Sequence, residues 1–218
     1  MPRPYFNWVM SIYLDSANLD EVREAMALGF VAGVTTNPTI IAREGRAASE
    51  LIPDVLRLCP GTVFHQVRSG SLEAMCTEAE QFNALAPARL ALKVPCTLAG
   101  LALVARLSAR MDCALTAIFS PAQVLLACEA GARYVIPYVN RSTRLLGDGM
   151  ALVEQMAEMC ERAGSQTEVL AASLKSADEA AQAVLHGAQH VTVPWSVLQA
   201  MGEHPLSRQA IDEFDKAG

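Results

Sequence analysis

The sequence lacks any apolar, uncharged window of about 18 residues, the length that a membrane-spanning helix requires. It also lacks a basic stripe, because its 17 Lys and Arg residues are scattered through a chain of formal net charge -6. No linker, low-complexity tract or block of like charge divides it. These absences favour a single globular domain, and they make a membrane or a nucleic acid an unexpected partner.

Cys-x-x-Cys pairs are absent although the chain has six cysteines, and its four histidines are dispersed. The spacing of a metal site is therefore missing, and we predict no metal. Free thiols in apolar surroundings are typical of the reducing cytoplasm, which is the expected location. Residues 1–9 lack the apolar stretch and cleavage site of a signal peptide, so we interpret them as an N-terminal extension before a domain of residues 10–218.

Three motifs of common enzyme classes are also missing. There is no Gly-x-Ser-x-Gly elbow of a serine hydrolase and no Gly-x-x-x-x-Gly-Lys-Ser/Thr loop for a nucleotide phosphate. The Gly-x-Gly-x-x-Gly turn is absent after the first predicted strand, which counts against a doubly wound open sheet, the alternative α/β fold.

Short apolar runs alternate with amphipathic stretches along the whole chain. Each run is short enough to predict a buried strand, and each longer stretch predicts a helix. Counting them gives eight strand–helix units at about 25-residue spacing, as expected for a single-domain (β/α)8 barrel. The predicted strands are residues 11–15, 30–35, 62–67, 90–94, 113–118, 133–138, 168–172 and 190–193.

Polar side chains follow nearly every predicted strand. Because the carboxyl ends of barrel strands meet at one mouth, these side chains are predicted to form a site there. Each also has a simpler interpretation as a helix cap, a turn residue or a solvated charge. In chain order they are Asp15, Thr35, Thr36, Asn37, Gln66, Lys93, Thr116, Tyr138, Asn140, Arg141, Ser173, Lys175 and Thr192.

Lys93 is the centre of this predicted site, because it ends an apolar run that Pro95 then terminates. Burial lowers the pKa of a lysine, and enzymes tune such lysines to a pKa of about 7–8. A neutral amine can attack a ketone or aldehyde and form an imine. The simpler interpretation is a structural lysine paired with Asp15 or another carboxylate. Proton transfer and substrate hydroxyl binding are assigned as candidates to Tyr138, Gln66, Thr116, Asp15 and Asn37.

Five segments resemble the transaldolase family, most closely its small bacterial branch, which includes fructose-6-phosphate aldolase. The sequences VTTNP and KVP are specific in combination, and the resemblance extends from about residue 10 to the C-terminus. The segments are residues 14–18, 33–39, 92–95, 135–141 and 170–175. This resemblance implies a class I aldolase barrel that uses no metal and no organic cofactor.

The resemblance also implies roles for individual residues. Lys93 corresponds to the Schiff-base lysine of the family, and Asp15 and Asn37 to the residues that hold the hydroxyls of dihydroxyacetone. Thr116 corresponds to a partner of the catalytic water.

A phosphate site is implied by the same resemblance. Arg141 and Ser173 correspond to the phosphate-binding pair, in which Arg gives a bidentate contact, and Lys175 adds charge beside them. The expected ligands are therefore ketose and aldose phosphates and dihydroxyacetone.

Two positions separate the reactions within the family. Transaldolases carry Glu where this chain has Gln66 and Phe where it has Tyr138, whereas the aldolase branch carries Gln and Tyr. The resemblance therefore favours cleavage of fructose 6-phosphate to dihydroxyacetone and glyceraldehyde 3-phosphate. Ile136 and the run 144–146 depart from the branch and put the substrate in question. A transaldolase is the nearer alternative, and a non-catalytic sugar-phosphate-binding barrel the more distant one.

The segment 205–216 is amphipathic and predicts an extra C-terminal helix. Its apolar residues Leu206, Ile211 and Phe214 are at approximately helical spacing, and they leave open whether the helix packs on its own barrel or on a neighbouring subunit. The resemblance implies a ring-shaped homo-oligomer, a pentamer or a decamer, in which this helix reaches a neighbour.

Overall fold

The computed structural model describes residues 10–68 and 70–217, so the predicted extension 1–9 lies outside the described residues. Within them, eight parallel strands form a closed barrel in which each strand pairs with the next and the last pairs with the first. They are β1 (Ser11–Asp15), β2 (Gly33–Thr35), β3 (Thr62–Gln66), β4 (Leu90–Pro95), β5 (Cys113–Ile118), β6 (Tyr134–Pro137), β7 (Glu168–Ala171) and β8 (His190–Val193). The predicted (β/α)8 barrel is confirmed, and the open sheet is excluded.

Eleven helices accompany the barrel in the described part of the chain. They are α1 (Leu19–Ala27), α2 (Pro38–Arg43), α3 (Ala48–Leu58), α4 (Leu72–Asn83), α5 (Leu98–Leu107), α6 (Pro121–Glu129), α7 (Val139–Leu146), α8 (Gly149–Arg162), α9 (Ala177–Leu185), α10 (Trp195–Met201) and α11 (Pro205–Ala217). The last two are separated around Gly202 and Pro205, as predicted. None of the helices described is long and apolar enough to cross a membrane.

Two helices are absent from the sequence prediction. A single helical stretch is predicted after Pro38, but the chain forms α2 and α3, which are separated by a turn where Gly45 has φ +65°. Glycine adopts this left-handed conformation without a steric penalty, so it can end α2. Helix α7 begins immediately after Tyr138 without a side-chain cap, and no sequence signal marks its start.

The predicted cap of the first helix, Asn18, is confirmed, and this decides whether Asp15 is needed as a cap. The Asn18 side chain accepts hydrogen bonds from the backbone N–H groups of Asp20 and Glu21. Asp15 is therefore not the cap of α1, and its interpretation as a simple helix cap is wrong.

The barrel interior below the mouth is filled by side chains. The ring of Phe64 meets those of Tyr13 and Tyr134 edge to face, at centroid distances of 5.4 and 5.3 Å. The complete cluster is Tyr13, Phe64, Ala91, Ala114, Tyr134, Ile136, Leu170 and Ala172.

The polar residues of the mouth lie on the same inward face of the strands. Successive side chains of a strand point to opposite faces, so the residue two positions after an interior one also points inward. Adding two to interior positions 13, 64, 91, 114 and 136 gives Asp15, Gln66, Lys93, Thr116 and Tyr138. The barrel pattern alone thus brings these five predicted side chains together above a packed interior.

Gly100 sets the approach of α5 to the end of β4. A β-carbon at this position would lie 2.1 Å from the Pro95 carbonyl oxygen and 3.1 Å from Val94 Cγ1. The helix can therefore rest on the strand directly after Lys93 only because residue 100 has no side chain.

Candidate active site

Lys93 is buried, with 2% of its surface exposed. Its Nζ donates a hydrogen bond to the Thr36 carbonyl oxygen at 3.0 Å. Burial lowers the pKa of Lys93, and the nearby charge of Asp15 opposes that shift. Among the described residues Nζ makes no direct ion pair, and Asp15 acts on it only through its nearby charge.

Asp15 belongs to a chain of hydrogen bonds across neighbouring strands. Thr35 Oγ1 donates to Asp15 Oδ1 at 2.7 Å and lies 2.6 Å from Thr192 Oγ1. Because a hydroxyl has one hydrogen, Thr192 must be the donor to Thr35. Burial raises the pKa of Asp15, whereas the charge of Lys93 and the bond from Thr35 lower it. The network fixes the orientation of the carboxyl group.

Thr116 and Tyr138 form a second polar pair on the opposite side of Lys93. Thr116 Oγ1 donates to the Tyr138 hydroxyl at 3.1 Å, which leaves the phenolic hydrogen available for another acceptor. Phe119 meets the Tyr138 ring edge to face at 6.0 Å. A register shift follows Thr116, and Ala117 there has φ +59°. Such a bulge turns neighbouring side chains and is common beside functional sites.

Gln66 lies beside Lys93 in the register of β3 and β4. Its Oε1 is buried and has no hydrogen-bond partner within the described residues, so an acceptor remains for a ligand. The preceding residue, His65, points to the other face as predicted. Its Nε2 lies 3.2 Å from Glu78 Oε1, and its ring stacks on Phe82.

Thr36 and Asn37 organise the turn after β2. Thr36 donates its hydroxyl to the Phe64 carbonyl at 2.8 Å, which directs its own carbonyl to Lys93. Asn37 Oδ1 caps α2 by accepting from the backbone N–H groups of residues 39 and 40. The simple helix-start interpretation is therefore correct for this oxygen, while the Asn37 side-chain amide retains its N–H donors.

Arg141, Ser173 and Lys175 lie on adjacent segments after β6 and β7. Pairing continues beyond these strands, because Asn140 N donates to Ser173 O at 3.2 Å. Ser173 has φ +61°, which is rare for a residue other than glycine. The Arg141 guanidinium lies over the Tyr138 ring, 5.0 Å from its centroid. Arg141, the predicted phosphate-binding arginine, is thus on the side of the mouth that carries Tyr138.

A cavity of about 990 Å³ opens beside the mouth between α2 and α4. Thr36, Asn37 and Gln66 line its inner end. Cavities of roughly 300–1,000 Å³ are typical of small-molecule sites. Lys93, Asp15 and Tyr138 are not among its lining residues, so this cavity adjoins the mouth and is not the mouth itself.

Two residues at the mouth were missed by the sequence analysis. Phe119 reaches Tyr138 because of the bulge after Thr116, which no sequence pattern marks. Glu179 contacts the segments that carry Arg141 and Ser173. Its only sequence signal is the spacing from Ser176, which predicts a helix start and nothing more.

The fold and the mouth together define a (β/α)8 barrel protein with a buried amine among hydroxyl, carboxyl and amide groups. The chain belongs to the transaldolase/fructose-6-phosphate aldolase family, whose model matches residues 12–217. The resemblance noted in the sequence is thereby confirmed at the level of the family.

Relatives of similar length carry the description "probable transaldolase". The protein of Symbiobacterium thermophilum is 37% identical over 208 residues, covering 95% of this chain and 96% of its own. That of Heliobacterium modesticaldum is 39% identical with the same coverage. That of Pelotomaculum thermopropionicum is 39% identical over 206 residues, covering 94% and 95%.

Among solved structures, a mandelate oxidase variant with a monooxide FMN adduct aligns with a TM-score of 0.59. The alignment covers 86% of this chain and 64% of that one, at 14% identity. At this identity the likeness shows the barrel fold alone.

Proposed function

We propose that the protein is a Schiff-base aldolase that cleaves fructose 6-phosphate to dihydroxyacetone and glyceraldehyde 3-phosphate and catalyses the reverse addition. The observation that carries this proposal is the Lys93 amine, which is buried, hydrogen-bonded to a carbonyl and without an ion-pair partner in the described chain. Burial favours the neutral amine, which is the form that attacks a carbonyl.

The reaction would begin when Lys93 Nζ adds to C2 of the ketose and water leaves, giving a protonated imine. Loss of the C4 hydroxyl proton breaks the C3–C4 bond and releases glyceraldehyde 3-phosphate, and the bonding electrons pass into an enamine. Protonation at C3 and hydrolysis of the imine then release dihydroxyacetone and restore Lys93.

The residues around Lys93 have the chemistry for the remaining steps. Tyr138 would transfer protons, since its hydroxyl already accepts from Thr116 and has its own hydrogen free. Asp15 and Asn37 would hold substrate hydroxyls. Gln66 would accept a hydrogen bond from the substrate or the hydrolytic water, because its Oε1 lacks another donor among the described residues.

The phosphate group would bind Arg141, Ser173 and Lys175. A guanidinium gives a phosphate two parallel hydrogen bonds, and a hydroxyl and an ammonium add further donors. These three residues follow β6 and β7, so the phosphate end of the substrate would lie on the Tyr138 side of Lys93.

A transaldolase is the second candidate, and the description shared by the relatives favours it. In that reaction the enamine would persist until an aldose phosphate accepts the three-carbon unit. The direct test is release of glyceraldehyde 3-phosphate from fructose 6-phosphate with and without erythrose 4-phosphate. Release without the acceptor supports the aldolase, whereas release that requires it makes the protein a transaldolase.

Tyr138→Phe is expected to reduce release of free dihydroxyacetone by about 10²-fold, the lower range for one general acid–base group. Transfer to erythrose 4-phosphate should fall less, because transfer bypasses protonation and hydrolysis of the enamine. Both rates are measured in one assay from the two products. Tyr134→Phe serves as the matched control, because Tyr134 begins β6 and lies in the packed barrel interior below the mouth. Equal losses of release and transfer in Tyr138→Phe would remove Tyr138 from this role.

We also infer that the protein is a homo-oligomer in which α11 packs on a neighbouring subunit; the family resemblance suggests a pentamer or a decamer. The support is that α11 buries no residue. Leu206, Ile211 and Phe214 are 68%, 56% and 72% exposed. Three large apolar side chains on one face of a helix are expected to be covered by another surface.

Phe214→Glu is accordingly expected to give a smaller assembly in light scattering, because a buried unpaired carboxylate would oppose docking of α11. Lys216→Glu, on the opposite face of the helix, adds the same group and should leave the mass unchanged. If both variants keep the mass of the wild type, α11 is not the contact.

A further inference from the structure

The segments that follow β6 and β7 are joined by a short ladder of hydrogen bonds. Ala172 N donates to Pro137 O at 3.0 Å, Val139 N donates to Ala172 O at 2.9 Å, and Asn140 N donates to Ser173 O at 3.2 Å. The ladder ends one residue before Arg141. Beyond that point, backbone pairing no longer sets the separation of the two segments.

Glu179 continues this ladder through its side chain. Its Oε1 accepts from Asn140 Nδ2 at 2.7 Å, and its Oε2 accepts from the backbone N–H of Lys175 at 2.7 Å. Hydrogen bonds to a carboxylate are shorter and stronger than those between neutral groups. One side chain on α9 therefore binds the residue before Arg141 and also the loop just after Ser173.

This arrangement differs from an ordinary helix start. Ser176 caps α9 by accepting from Glu179 N at 3.0 Å, as in a capping box. In that motif the glutamate returns to the N–H of the cap residue. Here the carboxylate instead reaches Lys175, one residue earlier, and Asn140 on another segment. Capping of α9 alone does not require these contacts.

We propose that Glu179 is a positioning residue, which holds the loop after β7 against the start of α7 and so sets the distance between Arg141 and Ser173 for binding a phosphate group. The inference rests on the proposed function for the identity of the ligand. It also accounts for how Ser173 keeps its left-handed backbone, because the bond to Lys175 N restrains the loop two residues further on.

If Glu179 acts only through its charge, its removal should change phosphate affinity in one direction, and if it positions the site, in the other. A carboxylate beside an anion site repels the anion, so removing it should tighten phosphate binding if only charge matters. If Glu179 positions the site, its removal frees two segments and weakens binding, since ordering them then opposes binding. The sign of the change therefore separates the two explanations.

The test compares Glu179→Ala and Glu179→Gln with Asp178→Asn, an exposed acidic neighbour in the first turn of α9 that removes the same charge. The readouts are the dissociation constant of inorganic phosphate and the KM values for glyceraldehyde 3-phosphate and unphosphorylated glyceraldehyde. Glu179→Ala should weaken phosphate binding and raise the KM of the phosphorylated aldehyde about tenfold, the loss of one good contact. The kcat, and the KM of unphosphorylated glyceraldehyde, should stay close to wild type.

Glu179→Gln should retain most of the affinity, because its carbonyl can accept from Lys175 N and its amide can donate to a rotated Asn140 side chain. Asp178→Asn should match the wild type. Phosphate binding in Glu179→Ala that equals or exceeds that of the wild type overturns the proposal, and so does an equal rise in KM for both aldehydes.

A separate experiment, borohydride trapping, tests the aldolase assignment itself. Borohydride reduction with dihydroxyacetone should trap a covalent adduct in the wild type and in Glu179→Ala alike. Absence of trapping in the wild type would reject the aldolase proposal, while the phosphate dissociation constants would still decide the role of Glu179.

Discussion

Lys93→Met is expected to abolish the adduct that borohydride traps with dihydroxyacetone or fructose 6-phosphate. Methionine fits an apolar position of similar length but has no amine to form an imine. Turnover should fall by at least about 10³-fold, because the variant loses the covalent mechanism itself and not only one binding interaction. The measurement is intact mass after reduction, followed by peptide mapping of the adduct.

The matched control is Lys216→Met, on the exposed helix α11. It removes a lysine of ordinary exposure, so both the adduct and the turnover should persist. Circular dichroism of each variant checks that the barrel is intact. Trapping that survives in Lys93→Met, or an adduct that maps to another lysine, contradicts the assignment.

Asp15→Asn is expected to lower kcat/KM by about 10²-fold, because the variant loses a charge-assisted hydrogen bond to a substrate hydroxyl. It should also move the pH dependence of imine formation. The Asp15 charge raises the pKa of Lys93 against the larger effect of burial. Removing that charge lowers the pKa of Lys93 further, so the rise of the trapping rate with pH should begin at a lower pH in the variant.

The stability of Asp15→Asn provides the control for that experiment. Burial raises the pKa of Asp15, so the folded protein binds this proton more tightly than the unfolded chain does. The contribution of Asp15 to the free energy of unfolding is therefore lost as pH rises through the raised pKa from its ordinary value of about 3.8. At neutral pH the amide should not lower the melting temperature. A large fall would mean that Asp15 is mainly structural, as would a trapping profile that does not move.

Most of the fold could be predicted from the sequence because a barrel repeats one local pattern. Eight apolar runs with intervening amphipathic stretches predict the strand order, and a helix between successive strands predicts that neighbouring strands are parallel. The missed helices, α3 and α7, illustrate the limit. Helix α3 follows Ala47 and α7 follows Tyr138, and neither residue makes the side-chain cap that marks a helix start in a sequence.

In the candidate site, too, the sequence predicts some features, namely individual residues, but not others, namely the contacts between them. Asp15, Gln66, Lys93 and Thr116 are predictable because each lies at or near the C-terminal end of a strand, and strand alternation determines their direction. The contacts between them depend on barrel closure. The bond from Lys93 to the Thr36 carbonyl is one example, since it joins residues 57 positions apart. Glu179 could not be predicted because its two acceptor bonds lie off the strands and depend on the pairing of two loops.

The close fit of Gly100 against the end of β4 means that one part of the mouth tolerates substitutions poorly, whereas other parts can change in sequence. Any side chain at position 100 would displace Pro95 and Val94, and with them the amine two residues before Pro95. The segments after β6 and β7 are held by hydrogen bonds that other side chains could supply. New substrate ranges, whether selected in nature or in the laboratory, should therefore arise from substitutions on the Arg141 side, while the junction of β4 and α5 stays constant.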